Sequence, residues 1–247
     1  MANVAGLTFP QLTAGFAVRR APRSIEGSGV MTRLWLTAGG VLPVSLISAA
    51  AFDVAALRET ATHLLAPVMT ITLLVMLRNR AVRRMIVVAL GIGIVATALY
   101  DVFRFGFLAL GLMPDDPIPH IGQALDLHPA WVFGYVWRYV GNGGGLAIAF
   151  MALGFSGVRA GILYGLFVCS GLVVTLAFSP LGQAMLFELN LTTAVMAIGG
   201  HAIYGLVLGS LTGRVVSRTL STYLPADDLA ASGSPGSEPT HMEVCLT

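Results

Sequence analysis

The sequence predicts an all-α protein, a polytopic membrane bundle of about six transmembrane helices with both ends in the cytoplasm. Three observations support this prediction. Hydrophobic residues make up 56% of the 247 positions and charged residues only 11%, whereas a soluble domain usually has about 25% charged residues. The apolar residues fall into six separate segments. The Arg residues concentrate in alternate connections between those segments.

Each apolar segment is close to the length of a membrane span, which is about 20 residues. The segments cover residues 34–52, 61–77, 85–107, 131–154, 160–178 and 189–213. The second is the weakest, and we expect its helix to extend back toward Arg58 and Glu59 or to lie in a thinner bilayer. In the long connection after the third segment, the stretch from Ile118 to Leu127 predicts a short surface helix.

The Arg residues set the orientation, because cytoplasmic connections carry an excess of basic residues. Of the fourteen basic residues, all are Arg, and eleven lie on the side of the N-terminus. The predicted organisation is a cytoplasmic segment 1–33, a transmembrane domain 34–213 and a disordered cytoplasmic tail 214–247. Met31 is an alternative translation start. The Arg-, Ala- and Gly-rich composition favours a multi-pass protein of a bacterial cytoplasmic membrane.

Composition and motifs exclude several classes of function. A net charge of +2 without a basic stripe does not fit a nucleic-acid partner, so the expected partners are the lipid bilayer, a second copy or another membrane protein. The sequence lacks the phosphate-binding loop, the dinucleotide-binding motif, HExxH and GxSxG, which disfavours ATP-driven pumps and common hydrolases. We expect no cofactor and no metal. The two Cys residues lie in different environments and do not predict a disulfide.

Charged residues inside the apolar segments are the strongest sign of a site, since they are costly in a membrane and usually face the bundle interior. Asp101 and Arg104 are three residues apart and share a helix face. Arg138 lies at a similar depth on the next, antiparallel helix. We therefore predict an ion pair between Asp101 and Arg138, shared with Arg104. It either clamps the helices together or lines a polar pocket.

Two further polar positions follow the same logic. Asn142 lies among four glycines at 141–145, a composition that disfavours a regular helix. Either the fourth helix breaks there and exposes its backbone to a ligand, or it stays continuous and admits a close neighbour. His201 lies near the middle of the sixth segment, as a hydrogen-bonding residue or as a proton relay or ligand.

Glycines at four-residue spacing mark one face of each of the last two segments. Such stripes let helix backbones approach closely, and we expect these to serve helix packing. They consist of Gly157, Gly161 and Gly165 on the fifth segment and Gly205, Gly209 and Gly213 on the sixth.

Three hypotheses about function remain. The first is a small permease or channel with an internal polar path, and the second is an accessory or scaffold subunit of a membrane complex. The third is a membrane enzyme acting on a lipid or quinone, which predicts a lateral opening beside Asp101 and Arg138 but lacks an assignable nucleophile. His63, His120 and His128, with nearby acidic residues, are an alternative metal site whose spacing matches no defined ligand pattern.

Overall fold

The computed structural model describes residues 29–223, with side chains described as far as Val215. All regular secondary structure in this range is helical, which confirms the predicted all-helical class for these residues. The predicted N-terminal segment up to residue 28 and the predicted tail from residue 224 onward lie outside the described residues.

Six long helical runs and two short helices make up the described chain. They are α1 (Val30–Ala51), α2 (Leu57–Arg78), α3 (Arg80–Ala109), α4 (Ile118–Ala124), α5 (130–152), α6 (Val158–Phe178), α7 (Gly182–Met185) and α8 (Leu191–Tyr223). Of these, α1, α2, α3, α6 and α8 are long and apolar enough to cross a membrane by length and composition. The last helix continues beyond residue 213, where the sequence places the end of the transmembrane domain.

The local sequence explains where α3 begins and where α2 departs from regular α-helical geometry. Asn79 begins α3 because its side-chain oxygen accepts hydrogen bonds from the backbone N–H of Ala81 (3.0 Å) and Val82 (3.1 Å), as an N-cap residue does. The helix α2 contains a π-helical turn at Ala61–Leu65, just before Pro67. Proline has no N–H, so it cannot donate the backbone hydrogen bond of a regular α-helix. This helix starts at Leu57, so it includes Arg58 and Glu59 as the sequence predicts.

The long helices pack in an arc. Each of these pairs is in contact: α1 with α5, α5 with α3, α3 with α8, and α8 with α6. The helix α2 lies outside this arc against α1 and α3, and none of the residues in its apolar window is buried. The arc is tightly packed where α5 ends, because Phe150, Ala147 and Leu208 are fully buried there.

The opposite end of the bundle is closed by the two long connections, residues 110–129 and 179–190, and we call it the capped end. Ile118, Ile121 and Leu125 of the first connection are buried. A Cβ at Gly122 would overlap the backbone of Ala130, so α4 lies directly on the start of α5. The predicted short helix is therefore present as α4, and it ends earlier than expected; its face with Ile118 and Ile121 packs on the bundle, while Gln123 is exposed.

Candidate functional site

Asp101 is the centre of a buried ion-pair network at the capped end. Its carboxylate accepts hydrogen bonds from Arg104 Nε at 3.0 Å, from Arg138 Nε at 2.8 and 3.0 Å, and from Arg138 Nη2 at 2.5 Å. Asp101 and Arg104 are 1% and 2% exposed. The ion pair expected from the sequence is thus present, and Arg104 shares it.

Asp116 brings a second carboxylate into the network from the capping connection. It accepts hydrogen bonds from Arg104 Nη1 (2.6 Å), from the Tyr135 hydroxyl (2.6 Å) and from the backbone N–H of Ile118 (3.0 Å). Burial raises the pKa of Asp116, but the hydrogen bonds from Tyr135, Ile118 and Arg104 outweigh it and hold the pKa below its usual value. Asp116 is therefore ionised near neutral pH, and it fixes the connection onto α3 and α5.

The network is balanced in charge. Two guanidinium groups, of Arg104 and Arg138, face two carboxylates, of Asp101 and Asp116. Because buried charges are tolerated when they are paired and hydrogen-bonded, this balance explains how four ionised groups coexist inside an apolar bundle.

Arg104 and Arg138 differ in how many of their guanidinium nitrogen atoms have hydrogen-bond partners among the described residues. Arg104 also donates from Nη2 to the Tyr135 hydroxyl at 3.1 Å, so all three of its nitrogen atoms have partners. Arg138 uses Nε and Nη2 on Asp101 and stacks over the Tyr100 ring at 4.6 Å. Its Nη1 has no hydrogen-bond partner among the residues that the structure describes. Arg138 therefore offers two N–H donors in a defined direction.

His201 on α8 lies on the other side of Tyr100, with the two rings edge to face at 5.2 Å. Its Nδ1 is 2.8 Å from the carbonyl oxygen of Ala197. Because a carbonyl only accepts, Nδ1 carries the proton, and in the neutral ring Nε2 is left as an acceptor. Within the described chain, Nε2 has no partner.

The glycine-rich part of α5 is continuous and not broken. Residues Trp137–Gly144 form a π-helix, in which a backbone N–H bonds to the carbonyl oxygen five residues earlier. We call this segment the wide turn of α5. The glycines admit close neighbours there, since a Cβ at Gly143 would overlap Thr97 and one at Gly145 would lie 2.5 Å from the Gly40 carbonyl oxygen. Of the two alternatives, the structure therefore has the continuous helix.

Two oxygen atoms of this segment, the Gly143 carbonyl oxygen and the Asn142 side-chain oxygen, lie inside the bundle. The Tyr204 hydroxyl donates to the Gly143 carbonyl oxygen at 2.7 Å, which supplies a partner within the irregular turn. The Asn142 side-chain oxygen is buried and has no partner in the described part of the chain. An orphaned buried acceptor of this kind calls for a ligand or a functional explanation.

These groups surround one cavity of about 130 Å³ in the capped half of the bundle. Arg104, Arg138, Asn142 and His201 line it, and Asp101 is bonded to both arginines at its edge. The structure thus brings the five predicted polar residues into one place. The remaining wall is mostly apolar and comes from every long helix except α2.

The predicted packing glycines lie elsewhere, between α6 and α8. A Cβ at Gly161 would overlap the Gly205 carbonyl oxygen, and one at Gly165 would overlap that of His201. The Gly157 N–H donates to the Gly209 carbonyl oxygen at 3.1 Å, and a Cβ at Gly213 would touch Gly157 at 3.5 Å. The two stripes face one another.

Sequence reasoning missed the tyrosines of the site, Tyr100, Tyr135 and Tyr204. Their spacing held a usable signal, because Tyr135 precedes Arg138 by three residues and therefore shares its helix face. The alternative metal site is not assembled. Asp126 pairs with Arg58 and Asp116 with Arg104, and the described residues contain no group of three metal-binding side chains.

Over the described residues, the fold is all-helical with five helices suited to a membrane, and it encloses a mostly apolar cavity lined by a few polar side chains. Comparisons of the chain with protein-family models, curated proteins and solved structures gave no match.

Proposed function

We propose that this chain is a six-span membrane protein, with both ends on the cytoplasmic side, that takes a small ligand into its internal cavity in the manner of a permease. The long helices support membrane insertion because large apolar side chains cover their outer surface; Phe167 and Phe178 are 73% and 77% exposed. Such a surface is unfavourable in water and suits lipid.

The sixth span is α5. It is not broken, and its residues 130–152 run through the middle of the arc between α1 and α3. Its segment 145–152 is apolar and almost completely buried. Its length, residues 130–152, matches that of a membrane span, which supports six spans with both ends on one side.

The orientation rests on the ends of the helices. The end opposite the cap carries Arg33, Arg78, Arg80, Arg83, Arg84, Arg159 and Arg214, whereas the capped end carries mainly acidic residues. Basic connections face the cytoplasm. We therefore place the cavity in the outer half of the membrane. The membrane that we propose for this protein is a bacterial cytoplasmic membrane.

The observation that carries the function is the side chain of Asn142, which lines the cavity and whose buried oxygen has no partner among the described residues. Arg138 and His201 line the same cavity, and within the described chain neither Arg138 Nη1 nor His201 Nε2 makes a hydrogen bond. A clamp that only holds helices together gains nothing from the orphaned oxygen of Asn142, because a buried polar group without a partner costs about 1–3 kcal/mol. A ligand with complementary polar atoms recovers that free energy on binding.

Cysteine reactivity tests whether this cavity admits small molecules. In a background of Cys169→Ser and Cys245→Ser, single cysteines replace Asn142 or His201 and are exposed in membranes to methyl methanethiosulfonate, which is small and neutral. We expect both to react, whereas Ala147→Cys, at a fully buried position away from the cavity, stays unreactive. If Asn142→Cys and His201→Cys stay as unreactive as Ala147→Cys, the proposed function is wrong.

A second candidate function is that of an accessory subunit of a membrane complex, and the exposure of α2 favours it. This helix has no buried residue in its apolar window, while the other candidate spans have 28–44% of theirs buried. Photo-crosslinking from Leu73, which is 54% exposed on α2, tests this candidate. A single stoichiometric membrane-protein adduct would support it, and adducts with lipid alone would contradict it.

A further inference from the structure

The cavity has an edge where two helices meet without packing closely. The helix α1 packs on α5, and α6 packs on α8, so α1 and α6 are the two ends of the arc. Among the described residues, hydrogen bonds join α1 to the end of α6 and the connection after it only near the capped end, and we call these bonds the tie. There the Thr175 hydroxyl lies 3.0 Å from that of Ser48, and the Leu181 N–H donates to the Ala51 carbonyl oxygen at 3.0 Å. Within the described residues, no hydrogen bond joins α1 to α6 below this tie.

Below the tie, the wall between α1 and α6 is thin. Val44 on α1 and Val168 and Leu172 on α6 line the cavity, and none of the three is fully buried. Gly171 follows on α6 and is exposed, and a Cβ built on it would meet nothing within 4 Å. We call the boundary between α1 and α6 at these residues the α1–α6 seam, and it is the side of the cavity where neighbouring long helices pack least.

The seam faces the apolar surface of the bundle. On α6 its neighbours Phe167 and Val174 are large and exposed, and the tie of Ser48 to Thr175 separates it from the capped end. Toward the capped end itself, apolar side chains of Ile118, Ile121, Leu186 and Phe187 cover the cavity. The easier approach is thus from lipid and not from water.

We propose that the ligand is a small, neutral amphiphile dissolved in the membrane, which enters through the α1–α6 seam and places a carbonyl-type oxygen on Arg138 Nη1. This inference rests on the proposed function, since it names the ligand class and the route for the same cavity.

The charge balance of the site selects against ions. Arg104 and Arg138 are already matched by Asp101 and Asp116, so an anion or a cation in the cavity would be a buried charge without a counter-ion. A neutral carbonyl oxygen needs only a hydrogen bond, and Arg138 Nη1 supplies it as a charged donor. A donor on the ligand can reach an acceptor such as His201 Nε2.

The size and lining of the cavity select an apolar body. Val44, Leu146, Val168 and Leu172 form the wall on the side of the seam. A cavity of about 150 Å³ accommodates a benzene molecule, and this one has about 130 Å³. The cavity is thus slightly smaller than one that holds a bare ring, so a single ring with one polar group fits only when the seam opens further, whereas a short chain with one polar group fits as it stands.

The route is tested with the reactive cysteine Asn142→Cys and two reagents of similar reactivity. Neutral methyl methanethiosulfonate partitions into lipid, whereas its 2-sulfonatoethyl analogue carries a negative charge and stays in water. We expect fast reaction with the neutral reagent and little with the anionic one. Gly171→Phe, which adds a large side chain beside the seam, should slow the neutral reagent about tenfold. The matched control is Gly91→Phe, because a Cβ there also meets nothing within 4 Å and α3 lies away from the seam; it should leave the rate unchanged.

The ligand class is tested by ¹⁹F NMR of the unaltered protein in lipid nanodiscs. We expect saturable binding of 4-fluoroacetophenone, and binding weaker by about tenfold for 4-fluorobenzoate and for fluorobenzene. Arg138→Lys keeps a positive charge beside Asp101 but lacks the free edge of the guanidinium, so it should reduce the preference for the ketone over fluorobenzene.

The outcomes separate this inference from the proposed function. If Asn142→Cys reacts equally with both reagents, or if Gly171→Phe and Gly91→Phe react at the same rate, the lateral route is wrong while the cavity stands. If 4-fluorobenzoate binds as tightly as the ketone, or the ketone does not bind, the ligand class is wrong. Only failure of neutral labelling at both Asn142→Cys and His201→Cys overturns the proposed function itself.

Discussion

Arg138 holds the carboxylate of Asp101 with Nε and Nη2 and leaves Nη1 unbonded among the described residues. The same carboxylate also accepts from Arg104. One anion thus compensates two cations at this point, and Asp116 supplies the second negative charge through Arg104 alone. The ion pairs that stabilise the fold and the ligand contact that we propose therefore use different edges of the Arg138 guanidinium group.

Asp101→Asn should destabilise the protein strongly. The substitution leaves Arg138 buried without its counter-ion and leaves Arg104 with Asp116 only. Removing one partner of a buried ion pair typically costs about 3–5 kcal/mol. The matched control is Asp126→Asn, because Asp126 pairs with Arg58 at 2.7 Å but is 62% exposed, where an ion pair contributes at most about 1 kcal/mol. Thermal unfolding in detergent should show a large decrease for Asp101→Asn only; equal decreases would contradict the central role of Asp101.

Asp116 should make stability fall at acidic pH. Its pKa is lower in the folded protein than the ordinary value of 3.8, so the folded state favours the ionised form. Its stabilising contribution is fully present above the unfolded pKa and is lost as the pH falls through the lower, folded pKa. The difference in melting temperature between the natural protein and Asp116→Asn should therefore be constant from pH 7 to about pH 5 and shrink below about pH 4.

The control for this pH dependence is Asp115→Asn. Asp115 is 60% exposed, and its neighbour His120 lies 3.4 Å away, so the substitution should change little at any of these pH values. A difference between the natural protein and Asp116→Asn that stays constant below pH 4 would show that Asp116 does not act through its charge.

Reporter fusions test the proposed orientation and decide whether α2 spans the membrane. Alkaline phosphatase, which is active only outside the cytoplasm, should be active when fused after Ala55 or Pro114. It should be inactive after Asn79 or Ser156, because both sites lie at the end of the bundle that carries Arg78, Arg80 and Arg159. A green fluorescent reporter at the same sites should show the opposite pattern. Equal phosphatase activity after Ala55 and Asn79 would mean that α2 does not cross.

The sequence predicts the helices well because apolar length and Arg placement are properties of each segment alone. The boundaries of α1, α3 and α6 shift by only a few residues from those expected. It predicts the end of α8 poorly, since the helix continues to Tyr223 through polar residues that composition assigns to a tail. It places α4 correctly but does not show that Ile118 and Ile121 are buried, because no periodicity over seven residues can reveal the contacts with α5.

At the site, the sequence locates the charged residues but not their arrangement. Asp101, Arg104 and Arg138 are recognisable because charge inside an apolar segment is rare. The roles of Asp116 and Tyr135 depend on how the capping connection folds back onto α3. The cavity itself depends on the loose contact between α1 and α6, helices separated by more than a hundred residues, so only the three-dimensional structure shows it.

Gly161→Ala tests the close contact of α6 with α8. A Cβ at this position would overlap the Gly205 carbonyl oxygen and would lie 2.7 Å from Gly209 Cα, so the two backbones must move apart. Overpacking of this kind costs about 1–3 kcal/mol. The matched control is Gly91→Ala, where a Cβ meets nothing within 4 Å and where Ala should stabilise the helix by about 0.5–1 kcal/mol.

The measurement is unfolding of both variants by sodium dodecyl sulfate in mixed micelles, followed by circular dichroism. We expect a lower midpoint for Gly161→Ala and an equal or higher one for Gly91→Ala. Because Gly161 does not line the cavity, the reaction of Asn142→Cys with the neutral reagent should keep its rate in folded Gly161→Ala protein. Equal midpoints for the two variants would show that the glycine stripes do not hold α6 on α8. A changed labelling rate would show that this contact and the cavity are coupled, since α8 carries His201 and Tyr204 as well as the stripe.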